Sequence, residues 1–418
     1  MTSRQDDLNL TDPEFFATGD PHQLFKRMRT EDPVHWTQGR LKHGFWSLFR
    51  HEDAYTVYRG ASEIYANGIR SVGLPSSPEV EAAVTPEMLG CGKLLVATDG
   101  EFHRGLRKAL NAPFLPRAMK RYEESGRRLT GEIFDQILPR GECEFVAEVA
   151  ARLPMAITWD MMEIPRKDWQ MLYDMVNQVL GPDDPEYHGD ASAGETAANA
   201  WQSAAEYCAQ LGMERRGCQG DDFLTLIANA RVLGRELTPE QVGYNVWNFV
   251  IGGLDTTRNA ISGGLLAFIQ NPDQMRRLRD EPSLMPTAVE EILRWTSPIT
   301  HSMRVAVKDT EIAGRKVKVG DWVVVWNASA NRDELAFAEP DRFDVGRSPN
   351  EHFAFAYGEH FCIGAHLARL EIRLIFEEMM ARMPDPELAG EVERVTSIVL
   401  AGIKRLPIRF APRRAAAA

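Results

Sequence analysis

The chain has 418 residues, 44% of them apolar with nine tryptophans, which is ample for a core large enough to enclose a cofactor. Its 48 basic and 60 acidic side chains give a net charge of −12, which removes nucleic acid and an anionic membrane from the expected partners. Cysteines at 91, 143, 208, 218 and 362 are odd in number and form no C-x-x-C pair, which argues against a disulfide framework or a zinc site and suits a reducing cytoplasm.

The polar start MTSRQDDLNL and the lack of any eighteen-residue apolar run give neither a signal peptide nor a membrane anchor. With no linker, repeat or compositional break, residues 1–418 read as one domain, with 1–18 as an N-terminal extension and 412–418 as a disordered tail. Residues 20–36 read as a short helix leading into a strand, and HGFWSLF as that strand's neighbour. Residues 70–100 mix Pro, Gly and Ser with apolar side chains, and so long an irregular stretch is more often functional than structural. His103 and Arg107 then fall one helical turn apart on one face, ordinarily a solvated surface pair.

Residues 130–240 read as successive amphipathic helices, interrupted at 181–194 by a polar Gly/Pro segment expected to be mobile. Thr238, Pro239 and Glu240 start a long apolar helix that Pro272 ends, and a helix of that composition must cross the core. Gly252 and Gly253 in its middle each cost about 1 kcal/mol against alanine, which a flat ligand or small molecule lying on the backbone would explain. Glu291 and Arg294 share a helix face, and the stretch from Ile299 reads as strands with a hairpin around Ala313 and Gly314.

Near the C-terminus, FAFAYGEHFCIGAHLARLEIR sets Cys362 between Gly358 and Gly364, ahead of Ile363, Leu367, Leu370 and Leu374 at helical spacing. A cysteine in a large chain is usually a small buried hydrophobe. Here the sulfur lies at a helix start, where unpaired N–H groups and the helix dipole favour a thiolate. A glycine loop lets a flat ligand approach that sulfur, which suits an iron atom held in a planar macrocycle.

Phe355, Gly358, His360, Cys362 and Gly364 resemble the haem-binding loop of the cytochrome P-450 family, the haem-thiolate monooxygenases. Ala356 departs from the pattern, since relatives often carry glycine there. The resemblance implies a mainly α fold with a smaller β-rich lobe (α+β), holding haem b (iron protoporphyrin IX) between the long central helix and the helix after the Cys loop. It makes Cys362 the iron ligand, with Phe355, Gly364 and Gly252 beside the haem and His103, Arg107, Arg304 and His352 as propionate partners. Ser302 stands where some relatives place an aspartate beside a propionate.

GGLDTT resembles the oxygen-activation motif, which makes Asp255 a proton relay and Thr256 the residue that orients hydrogen bonds to dioxygen. Left to itself, Thr256 reads as bonded back to its own helix. Met88, Leu89, Leu94, Phe249, Ile299, Thr300, Val399 and Leu400 become candidates for the substrate pocket, with His301 beside them. Glu291 and Arg294 match the family's E-x-x-R, with Arg342 as the third member of a structural charge network.

The implied activity is hydroxylation of a hydrophobic small molecule of terpenoid, steroid or lipid type, using O2 and electrons from a ferredoxin and its NAD(P)H-dependent reductase. Lys108, Arg117, Lys120, Arg121, Arg127 and Arg128 are either a solvated face or a dock for that acidic donor. Oxidation of an amino acid tethered to a carrier protein in secondary metabolism is an open alternative. A haem-thiolate isomerase or dehydratase is another, although it has no need of Asp255 and Thr256.

Overall fold

The computed structural model describes residues 3–70, 73–383 and 385–411; the tail 412–418, expected to be disordered, lies outside them. Two short helices, Arg4–Asn9 and Pro13–Thr18, occupy the stretch expected as an extension, and Phe16 of the second stacks on Trp326 with ring centroids 5.7 Å apart. Leu10 between them is fully buried, so this stretch is part of the packing.

A five-stranded sheet forms the smaller lobe. Its strands are β1 (Val34–Thr37), β2 (Phe45–Leu48), β3 (Tyr65–Ala66), β4 (Ser302–Ala306) and β5 (Trp322–Val325), in the order β1-β2-β5-β4-β3. Only the β2/β5 pair is parallel. The hairpin Thr310–Ile312 to Arg315–Val317 turns at Ala313 and Gly314, both at positive φ (46° and 81°), as a two-residue turn matching strand twist requires.

The larger lobe is helical and is built around the central helix Pro239–Gln270. Thr238 caps it by accepting from the Gln241 N–H at 3.2 Å, while the Gln241 side chain accepts from the Thr238 N–H at 2.9 Å. Pro239 occupies the first turn, where no N–H is needed, and Pro272 follows the end. Buried on nearly all sides, the helix packs against Arg152–Met161, Ala193–Met213, Met285–Thr296 and Ala365–Arg382. Among the described residues no helix is long and apolar enough to cross a membrane.

Two expectations need correction here. The segment 181–194 is anchored: Asp184 is fully buried, caps the short helix Pro185–His188, and binds the Lys404 ammonium at 3.0 Å and the Thr396 N–H at 3.1 Å. The third member of the buried charge network is Arg347 rather than Arg342. Glu291 and Arg294 form a fully buried two-point pair at 2.8 Å, and Arg347 Nε reaches Glu291 at 3.0 Å. Residues 340–342 curl round Arg294 so that the Pro340 and Arg342 carbonyls accept its N–H groups, which turns the Arg342 side chain outward to Glu339. Removing one partner of such a pair costs about 3–5 kcal/mol, so these residues hold the fold.

Candidate active site

The loop ahead of Cys362 is shaped by two left-handed residues. Gly358 has φ +74°, and a Cβ there would stand 2.6 Å from the Tyr58 carbonyl oxygen, so only glycine fits. Ala356 has φ +55°, a conformation that strains a residue with a Cβ, and its N–H donates to the Phe353 carbonyl at 2.9 Å. The Cys362 N–H donates to the Phe355 carbonyl at 3.0 Å, closing the loop.

The following helix, Ala365–Arg382, takes Gly364 as its cap, so the sulfur stands two residues ahead of the cap. Burial raises the Cys362 thiol pKa, and this outweighs the Gly364 N–H, Arg107 and Arg369, which act the other way. Helix position alone therefore does not yield the expected thiolate. A metal ion bound there would deprotonate a coordinating thiol outright.

Cys362 opens onto a cavity of about 280 Å³ that the middle of the central helix closes on the other side. A second cavity of about 380 Å³ adjoins it beneath a roof that includes Leu74, Val80, Leu89 and Leu94. Asn248, Gly252, Thr256, Ile299, Ser302 and Ala356 border both. The paired glycines have different jobs. A Cβ on Gly252 would meet nothing within 4 Å, so bare backbone faces the open space, whereas one on Gly253 would meet Thr158 at 2.5 Å, so that glycine serves helix packing.

The cavity fits a haem on charge as well as on shape. Arg107 borders the lower cavity and Arg304 the upper, and neither has a carboxylate within ion-pair reach among the described residues. Burial lowers the pKa of both guanidinium groups, against the opposing pull of Cys362 on Arg107 and of Tyr58 and Asp99 on Arg304. Beside them His103 is 1% exposed with both ring nitrogens unbonded, and its ring lies 4.2 Å from that of His360. Burial, then the neighbouring His360, holds His103 down to about 4. His103 Nδ1 stands 3.6 Å from Glu359 and His360 Nε2 3.5 Å from Asp99, so carboxylates carried by a flat ligand would chiefly answer the buried Arg304 and the half-buried Arg107.

Of the residues singled out from the sequence, Cys362, Phe355, Gly364, Gly252, His103, Arg107, Thr256 and Phe249 border the lower cavity, and Arg304, Leu89, Leu94, Ile299 and Val399 the upper. Phe249 belongs to the lower cavity alone, in a ring cluster with Phe114 and Phe223 at 5.4 Å and 4.5 Å. Five others sit elsewhere. Met88 is on neither wall, because the turn from Thr85 to Gly90 directs Leu89 inward instead. Thr300 points away because side chains alternate along an extended segment: Ile299 and His301 face the cavity, while the Thr300 hydroxyl bonds the Ile398 and Val399 carbonyls. Leu400 bridges to Ile299 through the backbone and is buried in the core.

His352 is taken up by Glu290, with Nε2 at 3.2 Å from a carboxylate that Arg369 also grips at 2.7 Å and 2.8 Å. His360 stands on the cavity wall where His352 was expected. Asp255 is fully buried but off the cavity wall, with a carboxylate oxygen 3.0 Å from Arg258 Nη2; Arg258 in turn donates to Tyr173 at 2.8 Å. Thr256 faces the cavity while its hydroxyl donates to the Gly252 carbonyl at 2.9 Å, so the back-bonded reading and the cavity-facing one both hold. His360 was visible in the sequence as part of the loop pattern. Asn248 was visible only through its spacing, one helical turn before Gly252.

A family model described as Cytochrome P450 matches residues 40–383. The chain is 34% identical to cytochrome P450 NovI of Streptomyces niveus, over 98% of this chain and 97% of that protein. It is 32% identical to linalool 8-monooxygenase of Pseudomonas putida, over 97% of this chain and 99% of that one. The solved structure of Mycobacterium marinum cytochrome P450 CYP268A2 in complex with pseudoionone matches with a TM-score of 0.87 at 32% identity, covering 95% of this chain and 97% of that chain.

Proposed function

The chain belongs to the cytochrome P450 family, and from that premise we propose that it hydroxylates a free hydrophobic molecule of terpenoid, steroid or lipid type. The family fixes the coarser statement: a haem b monooxygenase acting on a hydrophobic substrate with O2. Bound haem iron supplies O2 activation, and a thiolate ligand favours O–O cleavage by pushing electron density onto the metal. The observation that carries the reading is the pair of joined cavities, with Cys362 at one end, an apolar roof at the other and Thr256 between them.

In this reading Cys362 holds the iron, while Arg107, Arg304, His103 and His360 receive the two propionates. Phe355 covers the sulfur side, helped by Arg369 over its ring at 4.6 Å. Thr256 is the catalytic residue: its hydroxyl turns from the Gly252 carbonyl toward the reacting face and holds the proton delivered there. Asp255 acts through Thr256 and first has to leave Arg258, so it is a positioning residue. Ile299, Val399, Leu89 and Leu94 exclude water from the substrate.

The terpenoid class is favoured by two similarities: a relative named for acting on linalool and a solved neighbour that holds pseudoionone. The electron donors are a ferredoxin and its NAD(P)H-dependent reductase, and turnover with NADPH alone would contradict this. The reading extends to one domain over 1–418 in the cytoplasm, where five unpaired cysteines suit a reducing environment. Titration of the haem-loaded protein with free terpenes, steroids and fatty acids tests the substrate class. Ligand-induced spin shifts with free terpenes are expected. A shift only with an aminoacyl group on a carrier protein would overturn the free-substrate reading.

A further inference from the structure

Most polar groups around the upper cavity are already committed. His301 Nε2 accepts from the Leu74 N–H at 2.9 Å, Ser397 donates to the Leu180 carbonyl at 2.7 Å, and Ser302 accepts from Asn327 at 3.2 Å. Asn245, on the central helix, is saturated: its amide donates to the Lys93 and Gln241 carbonyls and accepts from the Leu95 N–H. That asparagine is structural.

Asn248 differs. It is 9% exposed and borders both cavities, yet its amide bonds no described residue. The amide is open to the cavities and held by no protein group, so a polar group that arrives there is its natural partner. Its position is also informative. Asn248, Gly252 and Thr256 are spaced four apart and share one helix face, which puts Asn248 about 12 Å from Thr256 along the axis at ~1.5 Å per residue.

We propose that Asn248 is a specificity-determining residue that hydrogen-bonds a hydroxyl or carbonyl oxygen of the substrate, so that the substrate is a hydrophobe already carrying one oxygen remote from the carbon to be hydroxylated. An amide both donates and accepts, which accommodates either oxygen type. The inference rests on the haem-thiolate reading above and narrows its substrate class. It also implies an earlier reaction that leaves an alcohol or ketone on an otherwise apolar skeleton.

The test compares matched ligands on the full haem-loaded chain: an acyclic C10 terpene alcohol, the corresponding ketone, and the hydrocarbon lacking the oxygen. Dissociation constants come from spin-shift titration and, independently, from calorimetry. The native protein should favour the oxygenated members about tenfold, the scale of one hydrogen bond. Asn248→Leu should abolish that preference while hydrocarbon binding stays the same or tightens, and Asn248→Ser should keep part of it. A preference unchanged in both variants, or equal affinity for alcohol and hydrocarbon in the native protein, overturns the inference alone. No binding by any of the three overturns the free-terpenoid reading and this inference with it.

Discussion

Ala356 and Thr256 show how single positions carry strain and chemistry. Ala356 occupies a left-handed conformation at φ +55° with its Cβ on the cavity wall. Ala356→Gly removes a strain of about 1–2 kcal/mol but adds unfolded-state entropy of about 0.4–1 kcal/mol. The net gain is about 0.5–1 kcal/mol, seen as a higher urea midpoint of the haem-bound protein; a lower midpoint would contradict it. Thr256→Ala deletes the hydroxyl at the reacting face without touching the cavity's apolar wall. Ligand-induced spin shifts should persist while electrons drain into hydrogen peroxide, and unchanged product yield would instead favour the isomerase or dehydratase alternative. Residue identity was legible at Cys362 and Thr256 because local pattern marks them. At His352 it was not: a neighbour 62 positions away, Glu290, decides where that ring points.

At the scale of elements, the roof is tied down through one histidine. The Leu74 N–H donates to His301 Nε2, and His301 Nδ1 lies 2.9 Å from the Thr300 hydroxyl, which donates on to the Ile398 carbonyl. Three segments bordering the upper cavity thus meet at a neutral imidazole. Burial holds His301 down to about 4, against about 6.5 in the unfolded chain. The unfolded state takes up the proton first on acidification. His301 therefore contributes its full stability above pH ~6.5 and loses it as pH falls toward ~4, on the order of 2–3 kcal/mol. Thermal midpoints between pH 7 and 4 should fall less steeply for His301→Gln than for the native protein, since His22 and His103 titrate alike in both. Parallel slopes would sink this. Element boundaries were readable where caps are local, as at Thr238 and Pro239. Facing was readable in principle at 299–301 from the two-residue alternation, yet only the fold shows which side is the cavity.

Across the whole molecule, charge is distributed unevenly. Lys108, Arg117 and Lys120 are exposed and have no carboxylate partner among the described residues, despite the net charge of −12. Lys108 follows Arg107 on the helix Gly100–Leu110, and Arg117 and Lys120 belong to Pro116–Ile137, which packs on the helix after Cys362. Arg117 and Lys120 thus lie on a helix that packs on the sulfur side, where the proposed acidic iron–sulfur donor would meet them. Arg117→Glu with Lys120→Glu should slow reduction by a ferredoxin about tenfold or more at low salt, converge with the native rate at high salt, and leave ligand spin shifts unchanged. A salt-independent loss would place the dock elsewhere.

Individual elements such as the long helix from Thr238 followed from apolar periodicity, while the mainly helical architecture with a smaller β-rich lobe was implied by the family resemblance. The third charge-network member followed from neither, because Arg342 and Arg347 differ only in how residues 340–347 wind around Arg294. The optical spectrum of the reduced, carbon-monoxide-bound protein tests the central claim most directly. The account predicts the absorption of a thiolate-ligated haem in the native protein and its loss in Cys362→His. A histidine-type spectrum from the folded native chain, or no bound porphyrin at all, would contradict it.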